Sequence, residues 1–300
     1  MAVTQFDATL KSYGLSCITI ELPPASKPEP QTTQPQADHK KQTPTTIKEI
    51  DPAAQQTLKQ IKNANPDIIV TAGARATSLV IQNIDAIPVV SFMVPNAPDM
   101  SFMAPNSPYK NRLACVTTDI PPALQVDWIK QLSPNLKNVG ILFSSHSNKS
   151  AETIESAAKI KGVNTTLIKA HRDKFPNAID TLNSKRCDGV LMIPDAGVYN
   201  SANVQRLLLW GIRNKKAVWA FSENIVKAGA FAGLYGKNED IGRLTADLVK
   251  VVIDKRNIAK IGLRYPKNIY SAVNERTAEM IDISIDRQTL NRVNSRYGKE

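Results

Sequence analysis

Two carboxylates, Asp195 and Glu223, each follow a short apolar run (VLMIP and AVWAFS), with Ser222 directly ahead of the second. Carboxylates at two strand ends facing one cleft can exchange protons with a substrate or hold a ligand ammonium. No His, Cys or metal-ligand set lies near them in sequence, so holding a cation is favoured, and acid–base turnover is the competing reading. Ser144, Ser145 and Asn148 follow the run NVGILF and precede a helical pattern at Lys149–Lys161. Such residues cap a helix start or bind a ligand, and one residue can do both. In AGARATS (72–78), Gly73 permits a tight turn after the run DIIVT. The helix after it, with Ala74, Arg75 and Thr77 in its first turn, offers free N–H groups to an anion. A plain strand-to-helix turn explains the same residues equally well.

Other chemistries lack their residues. No G-x-G-x-x-G, G-x-x-x-x-G-K-[ST] or G-x-S-x-G occurs, so nucleotide cradles and the hydrolase nucleophile elbow are not expected. Cys17, Cys115 and Cys187 are widely spaced, and His39, His146 and His171 form no ligand pattern. Buried inert thiols, no metal and no cofactor are the expectation.

Five apolar runs between Asn138 and Gly233 alternate with polar helical stretches: NVGILFSS, NTTLIKA, DGVLMIPDAG, KAVWAFSEN and GAFAGLYG. That alternation predicts consecutive βα units on a parallel sheet, with ligands outside the carboxyl ends of the strands. Ahead of it, the pattern predicts a helix at 4–13, strands at Leu15–Leu22 and Asp67–Thr71, a helix at Arg75–Ile84, a strand at Ile87–Met93 and an extended run at Leu113–Thr117. Pro121-Pro122 open a helix, Glu239–Asp254 is strongly periodic, and Tyr265–Val273 extended and Glu275–Ile281 helical precede a polar tail. Pro23–Thr46 holds six prolines and almost no large apolar side chain, the composition of a mobile loop. SFMVPNAPDM (91–100) is repeated at once as SFMAPNSPYK, which suits two successive turns; the sharper reading is a loop carrying Phe92, Phe102 and Tyr109 over a ligand cleft.

With 300 residues and 42% apolar content, the chain can fill two α/β cores. Its net charge of +11 is scattered rather than striped, so solvated surface is expected and no nucleic acid. No run of 18 apolar residues exists, and MAVTQFDATLKS lacks the regions of a signal peptide. Either the protein stays in the cytoplasm or export sequence is not part of this chain.

Several stretches resemble one family. LSPNLKNVGILF (132–143), PDIIVTAGARAT (66–77), IPVVSFMV (87–94), the block Trp219–Val249 and YPKNIYSAVNERTAEMI (265–281) are similar to ABC-transporter substrate-binding proteins of the tryptophan/tyrosine-transport type. The resemblance implies the type I periplasmic binding fold: two flavodoxin-like parallel-sheet lobes, three crossovers and a solute clamped by hinge closure. It also implies no catalysis, no cofactor, a periplasmic or envelope location, and a monomer delivering an amino acid or related solute, aromatic in some members, to membrane permease subunits. Carried onto this sequence, the ligand contacts fall at Ala74, Arg75 and Thr77, Ser91 and Phe92, Ser144, Ser145 and Asn148, Asp195, and Ser222 and Glu223. Phe92, Tyr199 and Phe221 suit stacking on a planar solute or simple core packing. The family's strand ahead of the 4–13 helix has no counterpart in this sequence, Val94-Pro95-Asn96 replaces its Asp-Pro, and the Pro-rich insertion is extra. We expect residues 1–117 plus about 241–300 to form the first lobe and 118–240 the second. The competing functions are a sensory module signalling to a partner protein, a degenerate binding protein without transport, and an enzyme using Asp195 and Glu223.

Overall fold

The computed structural model describes residues 1–22, 51–255 and 257–299. The Pro-rich segment at 23–46 therefore lies outside the described residues.

Two β-sheets carry the fold. The first comprises β1 (Ile69–Ala72), β2 (Val89–Val94), β3 (Leu113–Thr117) and β9 (Leu263–Arg264), all parallel, in the order β1-β2-β3-β9. The second has seven strands: β4 (Asn138–Phe143), β5 (Asn164–Lys169), β6 (Gly189–Leu191), β7 (Ala217–Ala220), β8 (Ala232–Tyr235), β10 (Tyr270–Asn274) and β11 (Ser295–Tyr297). Their order is β11-β10-β8-β7-β6-β4-β5, and only the β10–β8 pair is antiparallel. The parallel two-lobed α/β architecture expected from the alternating runs is present.

Each sheet is covered on both faces, which is why its strands read as unbroken apolar runs. In β4, Val139 and Ile141 face one core while Leu142 faces the other; in β7, Trp219 and Val218 divide in the same way. α4 (Pro122–Leu132) and α5 (Asn148–Ile160) cover one face of the larger sheet. α6 (Phe175–Ser184) and α7 (Ser201–Arg213) cover the other. In the first lobe, α2 (Pro52–Ala64) and α3 (Ala74–Asn83) bury Leu58, Ile61 and Ile81 against Ile69 and Val89. On the opposite face α1 (Ala2–Ser12) and α9 (Asn238–Lys255) enclose Phe6, Leu10, Val90 and Val249.

The chain crosses between lobes three times: after β3 into α4, after β8 into α9, and between β9 and β10. The division at 241–300 is finer than the sequence suggests. α9 and β9 pack with the first lobe, but β10, α10 (Glu275–Met280), α11 (Arg287–Arg292) and β11 complete the second. The stretch read as a polar tail supplies α11 and an edge strand, because Leu290 and Val293 pack on the core and Tyr297 reaches Glu223.

Two local readings are corrected. Leu15–Leu22 is no strand: Leu15 and Ile20 pack against first-lobe side chains, but the segment forms no ladder with β1, and extended backbone without a partner ladder is not a strand. The repeated decapeptide is not two equivalent turns either. The first SFM lies in β2, whereas the second forms a 3-10 turn at Ser101–Met103 that buries Phe102. Pairing with β1 and β3 decides the first copy, and the second has no such neighbours.

Candidate functional site

A cleft separates the lobes at the carboxyl ends of β2 and β3 on one side and of β6 and β7 on the other. β2 ends in a bulge: Met93 takes φ 56° and the register with β3 shifts between Phe92 and Val94. Bulges re-aim the chain at sheet rims, and this one brings Asn96 and Pro98 to the cleft. Thr118 and Asp119 follow β3, while Gln125 of α4 and Tyr265 lie at the crossovers. The second lobe contributes Ser150 of α5, Ile193 and Pro194 after β6, Phe221 after β7 and Leu234 of β8. The cleft encloses a cavity of about 40 Å³. That is room for roughly three waters.

The polar wall is built around Asp119. Its carboxylate accepts the N–H of Asn96 at 2.9 Å, the N–H of Ala97 at 3.2 Å and the Thr117 hydroxyl at 2.7 Å. Burial pushes this carboxyl above its ordinary range against the pull of those hydrogen bonds. The Tyr265 phenol is also raised, first by burial and then by the Asp119 charge. Phe221 and Leu234 line the same cleft from the second lobe. The cleft thus combines an acid and hydroxyls with apolar side chains, which suits recognition of a small amphipathic solute.

The residues singled out in the sequence are distributed differently. Asp195 is 6% exposed. It accepts the Ser144 N–H at 2.8 Å, the Ser144 hydroxyl at 3.0 Å, the Gly197 N–H at 2.7 Å and the Ser147 hydroxyl. It therefore ties the β4 and β6 loops together beside the cleft. Ser144 shares this cage and makes no cap for α5; Ser145 is exposed, and Asn148 donates to Glu152 at 2.7 Å. Glu223 opens α8 (Glu223–Lys227), with Ser222 before it, and accepts the hydroxyls of Ser295 and Tyr297 from β11. Those hydroxyls, Ser295 first, hold its carboxyl below the usual carboxylate range. Asp195 and Glu223 thus serve separate networks.

In the first lobe Thr77 and Ser91 join Thr71 in a buried hydroxyl chain, with contacts of 2.7 and 2.9 Å. Phe92 stacks on Phe6 at 5.7 Å in the core, and Tyr199 packs between Phe175 and Phe221. Ala74 packs on the first-lobe core and Arg75 is exposed on α3. Gly73 adopts φ 85°, the left-handed backbone that favours glycine, and no side chain of this turn lines the cleft. Of all the residues singled out, Phe221 alone lines the cavity. Asn96, Thr118, Asp119, Ser150 and Tyr265 line it too and were not among the residues singled out as ligand contacts. The signal for two of them was present, because Thr118-Asp119 directly follow LACVT, a strand end of the kind that drew attention to Asp195.

Two parallel-sheet lobes joined by three crossovers around a cleft define the periplasmic-binding-protein fold. A profile of ABC transporter substrate binding proteins matches residues 38–296, and the chain belongs to that family. An ABC domain in complex with L-Trp from Streptococcus pneumonia is 16% identical, with a TM-score of 0.67 over 98% of this chain and 94% of its own. A conserved domain protein from Vibrio cholerae is 17% identical, with a TM-score of 0.67 over the same shares of 98% and 94%. A substrate binding protein with adhesive properties from Clostridium difficile, in its ligand-free, open form, is 13% identical with a TM-score of 0.66 over 99% and 94%. No curated protein matches the sequence. Among the described residues no helix is long and apolar enough to cross a membrane, and no group of three metal-ligating side chains gathers.

Proposed function

We propose that this protein is the extracytoplasmic solute receptor of an ABC importer, and that it takes an amino acid or related small solute between its lobes. The observation that carries this reading is the cleft itself, lined by Asp119 and Tyr265 and by Phe221 and Leu234, in a chain of the substrate-binding family. An ammonium suits the Asp119 wall and an apolar or aromatic side chain suits the Phe221 wall. A protein of the same fold holds L-Trp, which agrees with a solute of this class. Hinge closure over the solute presents the joined lobes to permease subunits in the membrane.

The test is calorimetric scanning of the protein against a panel of amino acids and related solutes. A ligand that binds only the folded state at a hundred times its Kd adds about 2.7 kcal/mol of stability. A melting temperature raised by one chemical class is the expected result. A flat response across amino acids, amines, sugars and nucleosides contradicts the proposal.

A further inference from the structure

Asp99, a charged side chain of the first lobe, reaches into the second across the cleft. Asp99, in the first copy of the repeated decapeptide, accepts the N–H of Lys149 at 2.7 Å, the N–H of Ser150 at 2.9 Å and the Ser150 hydroxyl at 2.6 Å. These are first-turn groups of α5, a helix of 13 residues. The helix lacks a cap of its own: Ser147 stands at the cap position, but its hydroxyl is committed to Asp195. Unpaired first-turn N–H groups and the helix dipole favour an anion at this spot, and the opposite lobe supplies it. Three residues earlier in the same loop, the Asn96 side-chain amide donates to the carbonyl of Pro194. The second copy of the repeat has Tyr109 where the first has Asp99, and Tyr109 stays in its own lobe under the Arg112 guanidinium. The bridge thus belongs to one copy alone. Asn96, Ser150 and Pro194 also line the cleft, so the bridge stands at its edge.

We propose that Asp99 is an interlobe latch: its carboxylate caps α5 from across the cleft and holds the lobes together, so the cleft opens only when this carboxylate lets go. Its consequence for solute entry rests on the receptor reading above; the closure itself does not. A solute therefore enters only through the unlatched fraction of molecules, and removing the latch speeds association.

The experiment measures the interlobe distance in the purified, solute-free protein by pulsed electron spin resonance. Spin labels are attached at Lys110→Cys and Lys159→Cys, both exposed, in a Cys17→Ser background that removes the exposed native thiol. With Asp99 intact a short, narrow distance distribution is expected. Asp99→Ala should move it to longer and broader distances, and Ser150→Ala, which keeps both N–H groups, should move it less. Asp99→Asn preserves the side-chain size and guards against a folding artefact, with circular dichroism checked on every variant. Identical distributions for the parent and both Asp99 variants would overturn the proposal, as would a parent already at the long distance. If the distances shift while no solute stabilises the protein, the latch stands and the receptor reading fails.

Discussion

Asp195 and Ser144 meet twice, through the Ser144 N–H at 2.8 Å and its hydroxyl at 3.0 Å, in a cage that also holds Ser147 and Gly197. A buried carboxylate with four protein donors is a structural tie whose removal strands the N–H groups of Ser144 and Gly197 and the Ser147 hydroxyl, while the Ser144 hydroxyl keeps His146 Nδ1 at 3.1 Å. Charged hydrogen bonds of this kind are worth roughly 1.5–3 kcal/mol each, with non-additive losses. Asp195→Ala is therefore expected to destabilise the second lobe by about 3 kcal/mol. All three tryptophans, Trp128, Trp210 and Trp219, lie in that lobe, so their fluorescence in a urea titration reads it directly. An unchanged midpoint would show that the cage carries little.

A glycine sets the closeness of α1 and α9. A Cβ at Gly242 would sit 2.2 Å from the Ala2 carbonyl and 3.2 Å from the Phe6 nitrogen, both backbone atoms that cannot turn aside. Gly242→Ala should push α1 off the first sheet at a cost of about 1–3 kcal/mol. Faster hydrogen exchange in α1, with the tryptophan-reported transition unmoved, is the expected signature. Uniform protection in the variant would contradict it.

Acid should loosen β11 before the rest of the second lobe. Ser295 and Tyr297 hold Glu223 below its ordinary pKa, and Arg296 and Lys299 do the same for Glu275. A carboxyl depressed on folding stabilises fully above its unfolded value, near 4.3 for Glu, and that contribution fades as pH falls through the folded value. Amide exchange at 295–297, corrected for intrinsic rate, should therefore accelerate as pH drops below about 4.3. The paired Glu223→Gln and Glu275→Gln variant should show little such pH dependence.

The sheets were legible in the sequence and the cleft was not, for a physical reason. Runs such as NVGILF and LACVT are apolar without interruption because helices bury both of their faces, and that pattern survives in one dimension. A strand end next to a polar residue is a weaker signal. Asp195, Thr77 and Ser91 bond within their own lobe and do not line the cleft, whereas Asp119, bonded to its own lobe as well, lines it together with Thr118. Nothing within a single βα unit separates these cases, since the difference lies in where the second lobe stands. The bulge at Met93 and the different fates of the two SFM copies depend equally on neighbouring strands that are distant in sequence.

Phe221 should select for aromatic solutes. It lines the cleft and touches the Tyr199 ring at 6.4 Å between centroids. An aromatic contact contributes about 0.5–1.5 kcal/mol beyond area burial, so Phe221→Ala should weaken aromatic solutes roughly threefold to tenfold more than aliphatic ones. Equal losses for both classes, measured by titration calorimetry, would contradict aromatic selection, and no loss for either would place the ring outside the recognition surface.

The most direct test of a solute held between the lobes is a crystal structure with the solute that most raises the melting temperature. Density bounded by Thr118, Asp119 and Tyr265 on one side and by Phe221 and Leu234 on the other is the predicted result. A well-ordered solute seated elsewhere, with this cleft unchanged, would contradict it.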